Sequence, residues 1–146
     1  MKTLVNCTPT EFFVQTNKIR KSAEKWLKDT NILEIRKRAP QGDFVASRGA
    51  SEEEIKASIE ERKAAWAEQA KKNLFDMIGA VCEGYPQETI ELMALVCFID
   101  PKDADNHTMS EYLQCINEII MDDAVMGFFT SLASLGATNI GTVVNR

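Results

Sequence analysis

Residues 51–83 read SEEEIKASIEERKAAWAEQAKKNLFDMIGAVCE, and this stretch decides the fold. Ser51 is an N-cap residue, Glu54 stands three places on to complete a capping box, and Glu52, Glu53 and Glu54 put carboxylates at the positive end of a helix dipole. No proline interrupts residues 52–83, so the stretch predicts one helix reaching to Glu83. At a rise of 1.5 Å per residue it is roughly 50 Å long, more than a compact domain of this size needs. Its two halves differ. In the first, Ile55, Ile59, Trp66 and Ala70 form a narrow stripe among charged residues and alanines. In the second, Leu74, Phe75, Met77, Ile78, Val81 and Cys82 surround most of the circumference. The second half is therefore expected in a core, while the first projects or is covered by something else.

Upstream, Thr8-Pro9-Thr10-Glu11 combines a hydroxyl cap, a proline at the first helical position and a glutamate three residues after the cap. The helix it starts carries Phe12, Ile19, Ala23, Trp26 and Leu27 on one face and Lys18, Lys21, Lys25 and Lys28 on the opposite one. Asp29-Thr30-Asn31 interrupts it, and residues 32–38 form a short second helix bearing Arg36, Lys37 and Arg38, ended by Ala39-Pro40. Gly42, Ser47 and Gly49 lie in an aperiodic segment between Pro40 and Ala50 that reads as a hinge.

Downstream, Gly84-Tyr85-Pro86 stops one helix and starts another, expected over residues 87–99 and so apolar near its end that it belongs at the centre. Asp100-Pro101 ends it. After the acidic loop 100–107, Thr108-Met109-Ser110-Glu111 supplies a third capping box, followed by a buried stripe of Tyr112, Cys115, Ile116 and Ile119. Asp122 caps a last helix with Val125, Phe128, Phe129, Leu132 and Leu135 inward and Gly136 as its stop. Residues 137–146 show no helical period, and Thr142-Val143-Val144 reads as a frayed tail or short strand. The class is all-α: a compact multi-helix bundle with one long helix and a basic N-terminal helical arm. The expected organisation is a single domain, residues 1–146, made of the arm (1–48), the body (49–136) and the tail (137–146).

Charge divides along the same line. Residues 1–48 carry a net +5 and residues 49–146 a net −10, within an overall −5 and a sequence pI near 5.0. Such asymmetry steers association and orientation. The chemistry of turnover is missing beside it. Cys7, Cys82, Cys97 and Cys115 are widely spaced with no Cys-x-x-Cys pair, which indicates neither a zinc site nor a disulfide framework. Cys82, Cys97 and Cys115 fall on apolar faces and read as core; Cys7, before a helix start, reads as an ordinary thiol. Asp100, Asp103, Asp105, Asn106 and His107 crowd together but lack the glycine and terminal glutamate of a calcium loop. A lone loop histidine without a nucleophile nearby is an ordinary surface residue. No glycine-rich phosphate loop, nucleophile elbow or paired-carboxylate arrangement is present. The expectation is a chain that is not an enzyme and takes no cofactor or metal. The basic pair Lys18-Ile19-Arg20-Lys21 and Ile35-Arg36-Lys37-Arg38 raises nucleic-acid binding, which the acidic whole argues against. No run is long and apolar enough to span a bilayer, and the first residues lack the apolar stretch of a signal peptide, so a cytoplasmic location is expected.

Four segments carry a resemblance: residues 1–13 (MKTLVNCTPTEFF), 16–27 (TNKIRKSAEKWL), 88–101 (ETIELMALVCFIDP) and 127–136 (GFFTSLASLG). They resemble small prophage-encoded proteins of gut Firmicutes found among tail morphogenesis genes, and the plan is similar to the tail assembly chaperones of long-tailed phages. The resemblance implies a small, acidic, helical protein that coats the tape measure protein and keeps it soluble until tail tube subunits polymerise around it. On that reading Ile55, Ile59 and Trp66 take a helix of the tape measure or another tail protein, and the lysines of the first helix with Arg36, Lys37 and Arg38 serve a homo-oligomer. Two alternatives stand beside it: a phage-encoded inhibitor or adaptor of a host protein, and a nucleic-acid-binding module. The stripe itself has a second reading too, as internal packing against Phe12, Ile19 and Trp26.

Overall fold

The computed structural model describes the backbone over residues 2–42 and 48–144, with side chains described as far as residue 136. It is all-α, and no strand occurs among the described residues. Among the described residues six α-helices run in order: α1 (Pro9–Thr30), α2 (Ile32–Lys37), α3 (Glu52–Gly79), α4 (Pro86–Val96), α5 (Met109–Met121) and α6 (Asp123–Val144). A π-helical turn, Ala80–Gly84, follows α3, and a 3₁₀-helical turn, Pro101–Asn106, precedes α5.

Most of the starts follow the expected cap chemistry. At α1 the Glu11 amide donates to Thr8 Oγ1 at 3.2 Å while the Thr8 amide donates back to Glu11 Oε1 at 3.1 Å, a reciprocal capping box. Lys2 bonds the same Glu11 carboxylate and, with the Thr8 amide, holds its pKa down to about 2. Ser51 and Thr108 accept from the amides of Glu54 and Glu111, each at 3.2 Å, to open α3 and α5, and Asp122 accepts from the Val125 amide at 2.9 Å to open α6. The stops are set by backbone reversals. Asn31, with φ 55°, takes the left-handed conformation that ends α1, a position asparagine tolerates better than most residues.

The two ends expected at residues 99 and 136 fall elsewhere. α4 finishes at Val96 because Phe98 adopts φ 56°, which turns the chain and brings the Ile99 amide back to the Ala94 carbonyl at 2.9 Å. The acidic segment after it is a 3₁₀ turn capped by the Asp100 carboxylate on the Lys102 amide, rather than a loop. Gly136 does not stop α6, and the tail expected over 137–146 is helical as far as Val144, with neither fraying nor a strand at Thr142-Val143-Val144. Glycine disfavours a helix interior by about 1 kcal/mol but ends one only where the backbone turns left-handed, and Gly136 does not. Residues 145–146 lie outside the described residues, as do 43–47 of the expected hinge.

The chain forms two compact units, Met1–Ala23 with Ile90–Arg146, and Glu24–Thr89. Charge and packing thus divide the molecule at different places. The first residues of α1 share a unit with the C-terminal helices, while α2 shares one with α3. The boundaries cut through α1 and α4, so the arm of residues 1–48 is a region of charge and not a packing unit.

The first unit is organised around Leu4, Ala94, Cys97, Ile99, Ala104, Tyr112, Cys115, Ile119 and Val125, with Phe12, Ile19 and Phe129 packed against them. Tyr112 Oη donates to the Ala104 carbonyl at 2.8 Å inside this core, and Gln15 Nε2 donates to the Leu95 carbonyl at 2.6 Å, tying α1 to the end of α4. Phe12 meets the Phe128 ring edge-on at 5.5 Å between centroids and stacks with Phe129 at 6.0 Å. Burial and the neighbouring Cys115 thiol push the Cys97 thiol up to about 12, so it stays protonated. Two parts of the expected core lie outside it: Leu132 and Leu135 are exposed, and so is Cys82.

Because Tyr112 is buried and its hydroxyl has the Ala104 carbonyl as partner, Tyr112→Phe removes a hydrogen bond from the core and leaves that carbonyl only the longer bond from the His107 amide, at 3.4 Å. The expected outcome is a loss of about 1–2 kcal/mol in urea unfolding at unchanged helix content. An unfolding free energy equal to that of the parent chain would show that the bond contributes nothing net.

Candidate functional site

The second unit carries the site. Trp26 Nε1 donates to Thr89 Oγ1 at 2.9 Å, joining the end of α1 to the start of α4, and the hydroxyl of buried Thr30 donates back to the Trp26 carbonyl at 2.7 Å. α2 lies on α3 through a polar clamp. Asn73, the buried residue of α3, donates from Nδ2 to the Arg38 carbonyl at 3.0 Å and accepts from Gln69 Nε2 at 2.8 Å. Beside it the Arg38 guanidinium meets Asp76 at 3.2 Å. Arg38 therefore contributes both its backbone oxygen and its side chain to hold the end of α2 in place.

The clamp occupies the same face of α3 as the apolar stripe. Positions 55, 59, 66, 70, 73 and 77 recur at helical spacing, so α2 covers the stripe at its C-terminal end and leaves the N-terminal end bare. There Ile55 is 43% exposed, Ile59 41% and Trp66 49%. Trp66 stands at the border, on a surface hollow of about 160 Å³ bounded by Arg36, Arg38, Ala70, Asn73 and Met77. Its lining combines the indole, Ala70 and Met77 with the Asn73 amide and two arginines. Sequence separation hid this juxtaposition: the residues expected to bind a partner and the last part of the basic region form one surface.

The second half of α3 does not form the core expected for it. Leu74, Phe75 and Ile78 are exposed at 51%, 69% and 47%. The face that packs is the one holding Asn73, and a helix bears on a neighbour such as α2 along one stripe, so apolar residues elsewhere on the circumference stay bare. The π-helical turn Ala80–Gly84 then inserts an extra residue into the helical ladder, its end marked by the Tyr85 amide bonding Ala80 at 3.0 Å. Exposed apolar residues on this scale mark interaction surfaces in folded proteins. The signal sequence reading missed was Asn73 itself, a lone amide in an apolar face, which reports a backbone partner rather than an apolar one.

The remaining basic residues are spread along the chain. Lys18, Lys21, Lys25 and Lys28 are all exposed on α1, and Arg36 and Lys37 are exposed on α2. Lys18 borders a shallow hollow with Gln15, Leu95, Phe98 and Asp100. Lys25 is paired with Glu88 at 3.5 Å. With Arg38 on Asp76, two members of the expected basic set are thus engaged within the chain. Glu88 is itself held above the ordinary carboxylate range, first by burial and then by the Asp29 carboxyl beside it, with Lys25 acting in the opposite sense. Among the described residues, no group of three histidine, cysteine or acidic side chains is placed to hold a metal ion. None of the described helices is alone long and apolar enough to cross a membrane; Met109–Met121 and Asp123–Gly136 reach that composition only together, across a 65° bend.

No protein-family model matches the chain, and no curated protein or solved structure matches it.

The raised Glu88 gives a pH dependence with a definite sign. A carboxyl whose folded pKa lies above its unfolded value near 4.5 contributes fully to stability below that value, and the contribution is lost as pH rises through the folded pKa. Glu88→Gln, which mimics the protonated form, is expected to be more stable than the parent at neutral pH, with the difference closing as pH falls below about 4.5. Unfolding curves across that range test it; a variant less stable at neutral pH would show that the Lys25 pair outweighs burial and Asp29.

Proposed function

We propose that this chain is a non-enzymatic phage tail assembly chaperone, which binds the tape measure protein in the host cytoplasm and keeps it soluble before tail tube polymerisation. The observation that carries the reading is the bare end of the α3 stripe, where Ile55, Ile59 and Trp66 are each more than 40% exposed on one helix face. A helical client presents an apolar face of its own, and laying it along α3 removes both stripes from water. Trp66 is the natural anchor: large, rigid, and set at a hollow that an apolar client side chain enters. The four segments resemble small prophage-encoded proteins found among tail morphogenesis genes and the overall plan resembles tail assembly chaperones; that resemblance suggests the client, and the stripe suggests the mode of binding. The pairing of Lys25 with Glu88 and of Arg38 with Asp76 supports a protein client over a nucleic acid, since it leaves fewer cations for phosphates.

Co-expression with a tape measure protein, followed by purification through a tag on one partner, tests the reading. The parent chain is expected to keep the tape measure soluble and to co-purify with it. Trp66→Ala is expected to weaken binding by about 2 kcal/mol, roughly thirtyfold, whereas Lys21→Ala changes it far less. Failure of the parent chain to co-purify would move the inhibitor or adaptor reading ahead, and an undiminished complex with Trp66→Ala would place the client surface elsewhere.

A further inference from the structure

The bare end of α3 is acidic as well as apolar. Glu52, Glu53 and Glu54 fill its first turn, Glu60 and Glu61 bring the glutamates to five against Lys56, Arg62 and Lys63, and no residue of α3 before Asn73 is buried. The hollow at Trp66 carries the opposite charge from Arg36, beside the Arg38–Asp76 pair. We infer that this surface pairs with a second copy of the chain. The first halves of two α3 helices lie antiparallel about Ile59, and the acidic first turn of each seats against Arg36 of the other.

Three observations fix that geometry. α2 already covers the stripe from Asn73 onward through the Asn73 and Asp76 contacts, so an incoming helix has to end between Trp66 and Asn73. Ile59 lies midway between Glu52 and Trp66, so a two-fold axis there brings the first turn of each helix level with the hollow of the other. The overlap is then about 15 residues, or roughly 22 Å of helix. Charge fixes the direction. A parallel pair sets Glu52, Glu53 and Glu54 against their own copies, whereas the antiparallel pair sets them against guanidinium groups, in the self-complementary manner of a two-fold interface. Ile55 and Ile59 are covered, and the Trp66 indole meets the first turn of the second copy. An interface of this length belongs with the smaller specific ones, which associate weakly and reversibly. The pairing stands without any client; where a client helix also binds, the two compete for one stripe.

Sedimentation of the full chain alone tests it. The parent is expected to be dimeric at about 100 μM, well above a micromolar dissociation constant. Glu52→Lys with Glu53→Lys in one variant, and Arg36→Glu in another, are each expected to weaken the dimer tenfold or more; Arg36 is chosen because it leaves the Arg38–Asp76 pair in place. Mixed in equal amounts, the two variants are expected to recover a dimer, because each then offers the other an opposite charge at both contacts. Ile59→Asp is expected to be monomeric with unchanged helix content. A monomeric parent at that concentration overturns the inference, as do charge variants that still dimerise alone or a mixture that stays monomeric.

Discussion

Asn73 is a polar side chain buried in a helix whose neighbours on the same face are isoleucine, tryptophan, alanine and methionine, and the arrangement of the second unit depends on it. A buried amide has to find partners or lose the free energy of its hydration, about 1–3 kcal/mol for each group left unmet. Asn73 finds them in Gln69 on its own helix and in the Arg38 carbonyl at the end of α2. That carbonyl belongs to a helix terminus, where backbone acceptors lack intrahelical donors. One bond therefore settles two obligations at once. It also fixes where α2 stops along α3, and so how much of the apolar stripe is left bare. An apolar residue at this position would pack, but it would impose no register.

The parts of the fold legible in the sequence are those encoded within a few residues. The Thr8–Glu11, Ser51–Glu54 and Thr108–Glu111 boxes name three helix starts, and each is formed by atoms three positions apart. The buried stripe of α5 at Tyr112, Cys115 and Ile119 was readable for the same reason, as its neighbours all lie on one well-defined face. What could not be read is what covers a face. Leu74, Phe75 and Ile78 have the composition of a core, and Leu132 and Leu135 the spacing of one, yet a residue is buried only if another element arrives over it. Periodicity carries no information about that arrival. The helix ends misjudged at Ile99 and Gly136 have a related cause: Phe98 took the left-handed conformation ahead of the Asp100-Pro101 expected to end α4, and Gly136, expected to turn left-handed, stayed helical.

The candidate site shows the same split. Ile55, Ile59 and Trp66 were readable as one face of one helix, and they are exposed. Arg36 and Arg38 were readable as basic residues of an arm but not as the rim of the Trp66 hollow, which arises only when α2 folds back on α3. The net charges of the two sequence regions point to attraction between opposites, and the structure gives part of it to pairs inside the chain, at Lys25–Glu88 and Arg38–Asp76. The Arg38–Asp76 pair is exposed on both sides and contributes at most about 1 kcal/mol, and the half-buried Glu88 carboxylate offsets part of what Lys25 gains, so the main effect of both pairs is on which cations remain for other surfaces.

The absence of any buried residue in the first two-thirds of α3 also bears on how firmly that segment is held. Its helicity rests on the Ser51 cap, the dipole of its first turn and the intrinsic preferences of alanine, glutamate, lysine and arginine, and an isolated helix of that length is marginal in water. Amide hydrogens there should exchange with solvent through local opening, while those of the Asn73 clamp wait for larger excursions. Whatever settles on the stripe would therefore lengthen the lifetime of the helix beneath it. Occupancy becomes readable, amide by amide, at positions that touch no ligand.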